Sequence, residues 1–139
     1  MEILRVHHVA FAHREGEQPF AALERLLGLQ VTHSEDMGDF VERMLPAGDC
    51  YVQMLEATAP GVVQRFLDRR GPALHHVAFA VADLDAALAE LRDAGARLVD
   101  EQPRPGGMGT RIAFLHPSAV GGLLVELVEE PPTRDAGTS

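Results

Sequence analysis

Hydrophobic and polar positions alternate most regularly in two stretches that share the same six letters. His7-His8-Val9-Ala10-Phe11-Ala12 recurs about halfway along the chain as His75-His76-Val77-Ala78-Phe79-Ala80. A period of two predicts a strand, and an internal copy predicts two modules of one design. Alternate side chains of a strand point to opposite faces. His7, Val9 and Phe11 then share one face, and His8, Ala10 and Ala12 the other. In the second copy His75, Val77, Phe79 and Val81 oppose His76, Ala78 and Ala80. The bulky apolar face suits burial against a helix. The face with a histidine followed only by small residues leaves room for a cavity, and His8 and His76 are placed to look into it together.

The remaining pattern repeats in the same order. Residues 4–12 read as a strand, and Pro19 opens a helix whose Phe20, Leu23, Leu26 and Leu27 recur at helical spacing until Gly28 ends it. Strands follow at 29–34, 40–45 and 51–56, separated by a turn at 35–39 and by Pro46-Ala47-Gly48-Asp49. Residues 57–71 connect the halves, with Val62, Val63, Phe66 and Leu67 on one helical face. The second half gives a strand at 74–81, a helix capped by Asp83 and marked by Leu84, Leu88 and Leu91, and strands at 97–99, 111–115 and 123–128. Residues 131–139 are polar with two prolines and read as a frayed tail. Each half is thus strand, helix, strand, strand, strand. The expected fold is α+β, with two four-stranded sheets, each covered on one face by a helix, whose free faces join as a cup. The expected organisation is one domain over 1–130, with module 1 at about 4–56, a connecting helix at 57–71 and module 2 at about 72–130.

Composition narrows the function. At 139 residues and 46% apolar content the chain is long enough for a real core. No apolar run approaches a membrane span, and the start lacks a signal or transit pattern. A formal charge of −9 argues against nucleic acid, which needs a basic face. All twelve cations are arginine, so Schiff-base chemistry, a P-loop and a lysine base are excluded. The single cysteine, Cys50, excludes an internal disulfide, fits a reducing compartment, and reads as a core or strand-edge residue.

If the halves are equivalent, the cup receives matching groups from each. Aligned on their ends, the last strands of the two halves set Gln53 against Glu126, each a single polar residue in an apolar strand that needs a partner. His8, Gln53, His76 and Glu126 together offer two imidazoles, an amide oxygen and a carboxylate. That set suits Co2+, Mn2+, Ni2+ or Zn2+ with positions left for substrate. Without a thiolate it does not suit a closed structural zinc site. A lone strand histidine is ordinarily just packed, but two at matching positions with two matching polar residues favour a metal. Glu42 is a carboxylate inside the apolar strand beside the Gln53 strand; an exposed face paired with an arginine is the alternative. Residues 103–111 are rich in glycine and match no phosphate loop. They suit a flexible connection or a lid, and the letters do not choose. His7 and His75 read as structural, on the helix-facing side or at the strand mouth, and His13, His33 and His116 as surface residues.

Three stretches carry a family resemblance: Leu74-His75-His76-Val77-Ala78-Phe79, Gly109-Thr110-Arg111-Ile112-Ala113-Phe114-Leu115-His116-Pro117, and Gly122-Leu123-Leu124-Val125-Glu126-Leu127. With these the chain resembles the vicinal-oxygen-chelate (glyoxalase-like) superfamily and, within it, the methylmalonyl-CoA epimerases. The likeness runs from about residue 4 to 129 and departs at 13–20, where the family has an aromatic-rich segment. It implies paired βαβββ modules forming a metal cup with His8, Gln53, His76 and Glu126 as ligands. It further implies Glu42 as a catalytic base, Glu126 as the second, and a divalent ion, Co2+ first, with Mn2+, Ni2+ or Zn2+ as alternatives. The implied substrate is an acyl-CoA thioester, and the implied setting a cytoplasmic homodimer without membrane or nucleic-acid partners. With no lysine, Arg104 and Arg111 are the suggested contacts to the CoA portion. The competing expectations are a glyoxalase-type isomerase or lyase and a metal-free small-molecule binder.

Overall fold

The two histidine stretches form the two central strands of a single sheet. The computed structural model describes residues 1–131; Pro131 apart, the expected tail lies outside them. The first module comprises β1 (Arg5–His13), α1 (Pro19–Leu27), β2 (His33–Asp36), β3 (Phe40–Ala47) and β4 (Cys50–Ala57). After α2 (Val62–Arg70), the second has β5 (Ala73–Val81), α3 (Leu84–Asp93), β6 (Arg104–Pro105), β7 (Arg111–Leu115) and β8 (Val125–Glu129). The strand order is β2-β3-β4-β1-β5-β8-β7-β6. The halves therefore meet edge to edge through antiparallel β1 and β5, so the expected two sheets are one. Each half repeats the same wiring, with β1 parallel to β4 and β5 parallel to β8.

Helices cover the sheet unequally. Behind module 2, α3 places Leu84 and Leu88 against Val81, Leu115, Val125 and Leu127, a fully buried cluster. The Asp83 carboxylate accepts from the Ala86 N–H at 3.0 Å, a cap worth about 1 kcal/mol. The connecting helix α2 packs on the other face, where Val63, Phe66 and Leu67 meet Ala10, Ala12, Leu55 and Ala57. That face is the one predicted to line a cavity, so α2 forms one end wall of the cup. Behind module 1, α1 buries none of its residues, and Leu26 and Leu27 are 67% and 69% exposed. The expected matching cover is thus incomplete there.

Three strand boundaries differ from the alternation. The edge strand β2 is His33–Asp36 rather than 29–34, because its place is set by pairing His33 through Asp36 with Met44 through Val41. Residues 97–99 make only one bridge, Leu98 to Leu115, and the edge beside β7 is Arg104–Pro105. β3 runs past Pro46 to Ala47, since at that point it has passed the end of β2 and the missing proline donor leaves no ladder bond unmade.

Candidate metal centre and active site

Strand register brings four distant residues together in two rows. In one row Ala10 of β1 is flanked by Gln53 of β4 and His76 of β5. In the other, Ala78 of β5 is flanked by His8 of β1 and Glu126 of β8. Each row is ligand, alanine, ligand, and the rows exchange under the module repeat. The alanines, both fully buried, take up little space between larger groups, so the flanking side chains lean over them into the cavity. His8, Gln53, His76 and Glu126 all line a cavity of about 590 Å³.

The donor atoms are spaced as ligands of one ion would be. His8 Nε2 is 3.0 Å from His76 Nε2. Glu126 Oε2 lies 3.2 Å from His76 Nε2, and Oε1 3.7 Å from His8 Nε2. Two ligands bonded at about 2.1 Å to one ion sit about 3.0–3.4 Å apart at right or tetrahedral angles. Gln53 supplies the next test: its Oε1 is buried without any hydrogen-bond partner, while its Nε2 donates to Glu42 Oε2 at 3.2 Å. An unsatisfied buried carbonyl is costly in a folded protein, and a cation shared with the three neighbouring donors would relieve it. These residues fit a divalent metal ion.

Burial also sets the protonation states such a site needs. It pushes His8 down to about 3, with the Glu126 charge opposing and His76 and His7 reinforcing. It pushes His76 down to about 3 as well. Both imidazoles are therefore neutral at physiological pH, with a lone pair free to coordinate. Burial raises the Glu126 carboxyl, opposed chiefly by His8 and His7.

Glu42 stands next to this set without belonging to it. It is 4% exposed on β3, directly opposite Glu35 of β2. Burial foremost, then the Glu35 and Glu126 charges, raises its carboxyl to about 7, near the optimum for a general base. Gly107 closes over it: a Cβ there would lie 1.8 Å from Glu42 Oε1. The glycine-rich loop is thus packed on the carboxylate, and Glu35 holds it by accepting from the Met108 N–H at 3.1 Å. Neither Glu35 nor Gly107 stands out in the sequence, where only the density of glycines hints at a close approach.

The arginines divide. Arg104 lines the cavity, its guanidinium 5.4 Å over Phe114 and its Nε donating to Asp100 at 2.9 Å. Arg111 lies outside, bonded to Asp85 and Glu129. Of the other histidines, His33 pairs with Glu35 at 2.9 Å and half-buried His116 accepts from the Ser118 N–H. His13, expected at the surface, is fully buried, its Nδ1 3.1 Å from the Arg14 carbonyl, because β1 runs one residue further than the alternation implies. Cys50 is half-buried at the start of β4, as a strand-edge residue would be. His7 and His75 both reach the cavity lining, contrary to the simple face assignment.

Residues 7–114 match the Glyoxalase/Bleomycin resistance protein/Dioxygenase superfamily. The ethylmalonyl-CoA/methylmalonyl-CoA epimerase of Cereibacter sphaeroides is 32% identical over 129 residues, covering 88% of this chain and 96% of that protein. A methylmalonyl-CoA epimerase solved in complex with methylmalonyl-CoA and NH4+ superposes with a TM-score of 0.86 at 34% identity, over 96% of this chain and 99% of the other. A Streptomyces coelicolor methylmalonyl-CoA epimerase variant in complex with 2-nitronate-propionyl-CoA superposes at 0.87, with 34% identity and the same coverage.

Proposed function

The chain belongs to the Glyoxalase/Bleomycin resistance protein/Dioxygenase superfamily, and from that premise we propose that it is a metal-dependent epimerase interconverting (R)- and (S)-methylmalonyl-CoA. The observation that carries the reading is Glu42: a buried carboxylate beside the proposed ligands, raised to about 7 and hydrogen-bonded to the Gln53 amide, whose oxygen is buried without a partner. His8, Gln53, His76 and Glu126 would hold the ion. Bound there, Co2+ (or Mn2+, Ni2+ or Zn2+) supplies Lewis acidity toward the carboxylate and thioester oxygens of the substrate.

The chain's own residues do the proton work. Glu42 in its ionised form takes the proton from C2, and the C–H electron pair moves into the thioester carbonyl to give a planar enolate. Glu126, holding a proton at the outset, returns it to the opposite face, and in the reverse reaction Glu126 as the carboxylate takes the proton and Glu42 as the acid returns one. Arg104 is the cation at the cavity wall suited to an anionic part of the thioester ligand. Gly107 closes over Glu42 and restricts water around the base, which protects the enolate. A homodimer is supported by the apolar surface that α1 leaves open at Leu26 and Leu27. A cytoplasmic setting is supported by the single free cysteine; among the described residues no helix is long and apolar enough to cross a membrane.

The test is proton–deuterium exchange at C2 of methylmalonyl-CoA in D2O with the Co2+-loaded protein. Exchange accompanied by conversion of one diastereomer into the other is expected. Absence of exchange, with turnover of a glutathione–methylglyoxal adduct in its place, would replace the proposal with the glyoxalase reading.

A further inference from the structure

The doubled histidines of the repeat have a structural role for both members. Register between β1 and β5 slips twice. Val6 pairs with Phe79 and His8 with Ala78, so His7 is an extra residue; Ala10 pairs with His76 and Phe11 with Leu74, so His75 is one too. Each slip is a β-bulge, which re-aims the extra side chain. In a regular strand His7 and His8 would face opposite sides. Here His7 Nδ1 is 2.7 Å from His8 Nδ1, and His75 Nδ1 is 2.8 Å from His76 Nδ1.

An imidazole that coordinates through Nε2 keeps its proton on Nδ1, and that N–H needs an acceptor. The neighbouring histidine supplies it. His7 then carries its own proton on Nε2, which lies 3.4 Å from Glu130 Oε1. Glu130 is in turn held by Arg5, whose Nε donates to Oε2 at 3.1 Å. The equivalent chain in the other module ends differently: the His75 and Phe66 rings form a T-shaped pair with 4.8 Å between centroids.

We propose that His7 and His75 are positioning residues that fix the tautomer and ring orientation of His8 and His76 toward a divalent metal, with the His7 arm the stronger because Glu130 anchors it. This rests on the reading of His8, Gln53, His76 and Glu126 as the ion's ligands. The two arms make the halves of the cup electronically unequal although their sequences are identical there.

The experiment measures Co2+ affinity by competition with a chromogenic chelator, beside the melting temperature of the metal-free protein. His7→Leu weakens Co2+ binding by about 10–100-fold, and His75→Leu by less. His7→Asn returns the affinity to within a few-fold of wild type, because its Oδ1 is as many bonds from the backbone as the imidazole Nδ1 and accepts the same N–H. Glu130→Ala, which touches no ligand and removes the acceptor for His7 Nε2, weakens binding with little change in metal-free melting. Wild-type affinity in both His7→Leu and Glu130→Ala, with one ion bound per wild-type chain, overturns this inference alone. A wild-type protein that takes up no Co2+ overturns the ligand reading and this inference with it. Should His7→Leu melt early without metal, Glu130→Ala decides: unchanged affinity there is refutation.

Discussion

Replacing Gly107 with alanine tests the placement of Glu42 while leaving all four proposed ligands in the chain. The added Cβ would lie 1.8 Å from Glu42 Oε1, 2.5 Å from Cδ and 2.8 Å from Oε2. Ordinary contact requires more than about 3 Å, so the carboxylate retreats by more than an ångström. The Gly107 backbone is not in the left-handed region, so alanine adds no backbone strain, and the group displaced is the end of a flexible side chain. Folding is therefore little affected, and one metal ion per chain is retained because Glu42 is not itself a proposed ligand, although it accepts from the Nε2 of Gln53. Misplacing a catalytic group by about 1 Å costs on the order of 100-fold in rate, equivalent to about 2.7 kcal/mol of barrier. The assay is the initial rate of C2 deuterium exchange with saturating metal, read beside Co2+ stoichiometry and thermal melting. A variant that melts and binds metal as wild type does but exchanges about 100-fold more slowly is expected. Wild-type exchange would refute the claim that the loop is packed on a catalytic carboxylate.

Four further outcomes follow from the same geometry. Glu42→Gln keeps the size and the Gln53 neighbour but removes the base, so it should retain one metal ion per chain and lose about 10²–10⁴-fold in kcat; near-full activity removes Glu42 from the mechanism. Because Glu42 takes the C2 proton only when ionised and burial raises its carboxyl to about 7, kcat/KM in the direction where it is the base should rise with pH up to that value and then level. Glu35 contributes to the upward shift, so Glu35→Gln should move the rising limb to lower pH, and an alkaline or absent shift refutes that coupling. Arg104→Ala should raise KM more than it lowers kcat, whereas Arg111→Ala, outside the cavity, should leave KM unchanged; the opposite ranking would reverse the assignment of the thioester-binding wall.

The parts of the site that sequence patterning reveals are those fixed by period two. Gln53 and Glu126 stand alone as polar residues in apolar strands, and their equivalence follows from the repeat before any fold is known. The helices α2 and α3 follow from their apolar stripes, α2 from Val63, Phe66 and Leu67, α3 from Leu84 and Leu88. What escapes is whatever depends on pairing rather than pattern. The bulges at His7 and His75 break the alternation that assigns them to the outer face, and a bulge leaves no mark in the letters. Edge strands are similar: β2 is the polar segment His33-Ser34-Glu35-Asp36, placed by its register with β3 and not by hydrophobicity. The closing of Gly107 on Glu42 joins residues from different modules, a contact that local sequence does not encode.

The proposed chemistry requires one ion shared by four residues from two modules. Anomalous diffraction at the cobalt edge, from crystals grown with Co2+, tests this directly. The expected result is a single peak per chain, bonded at about 2.1 Å to His8 Nε2, His76 Nε2, Glu126 and Gln53 Oε1, with Glu42 outside the coordination shell. A peak elsewhere, or one that leaves Gln53 Oε1 unbonded and takes Glu42 as a ligand, would contradict it.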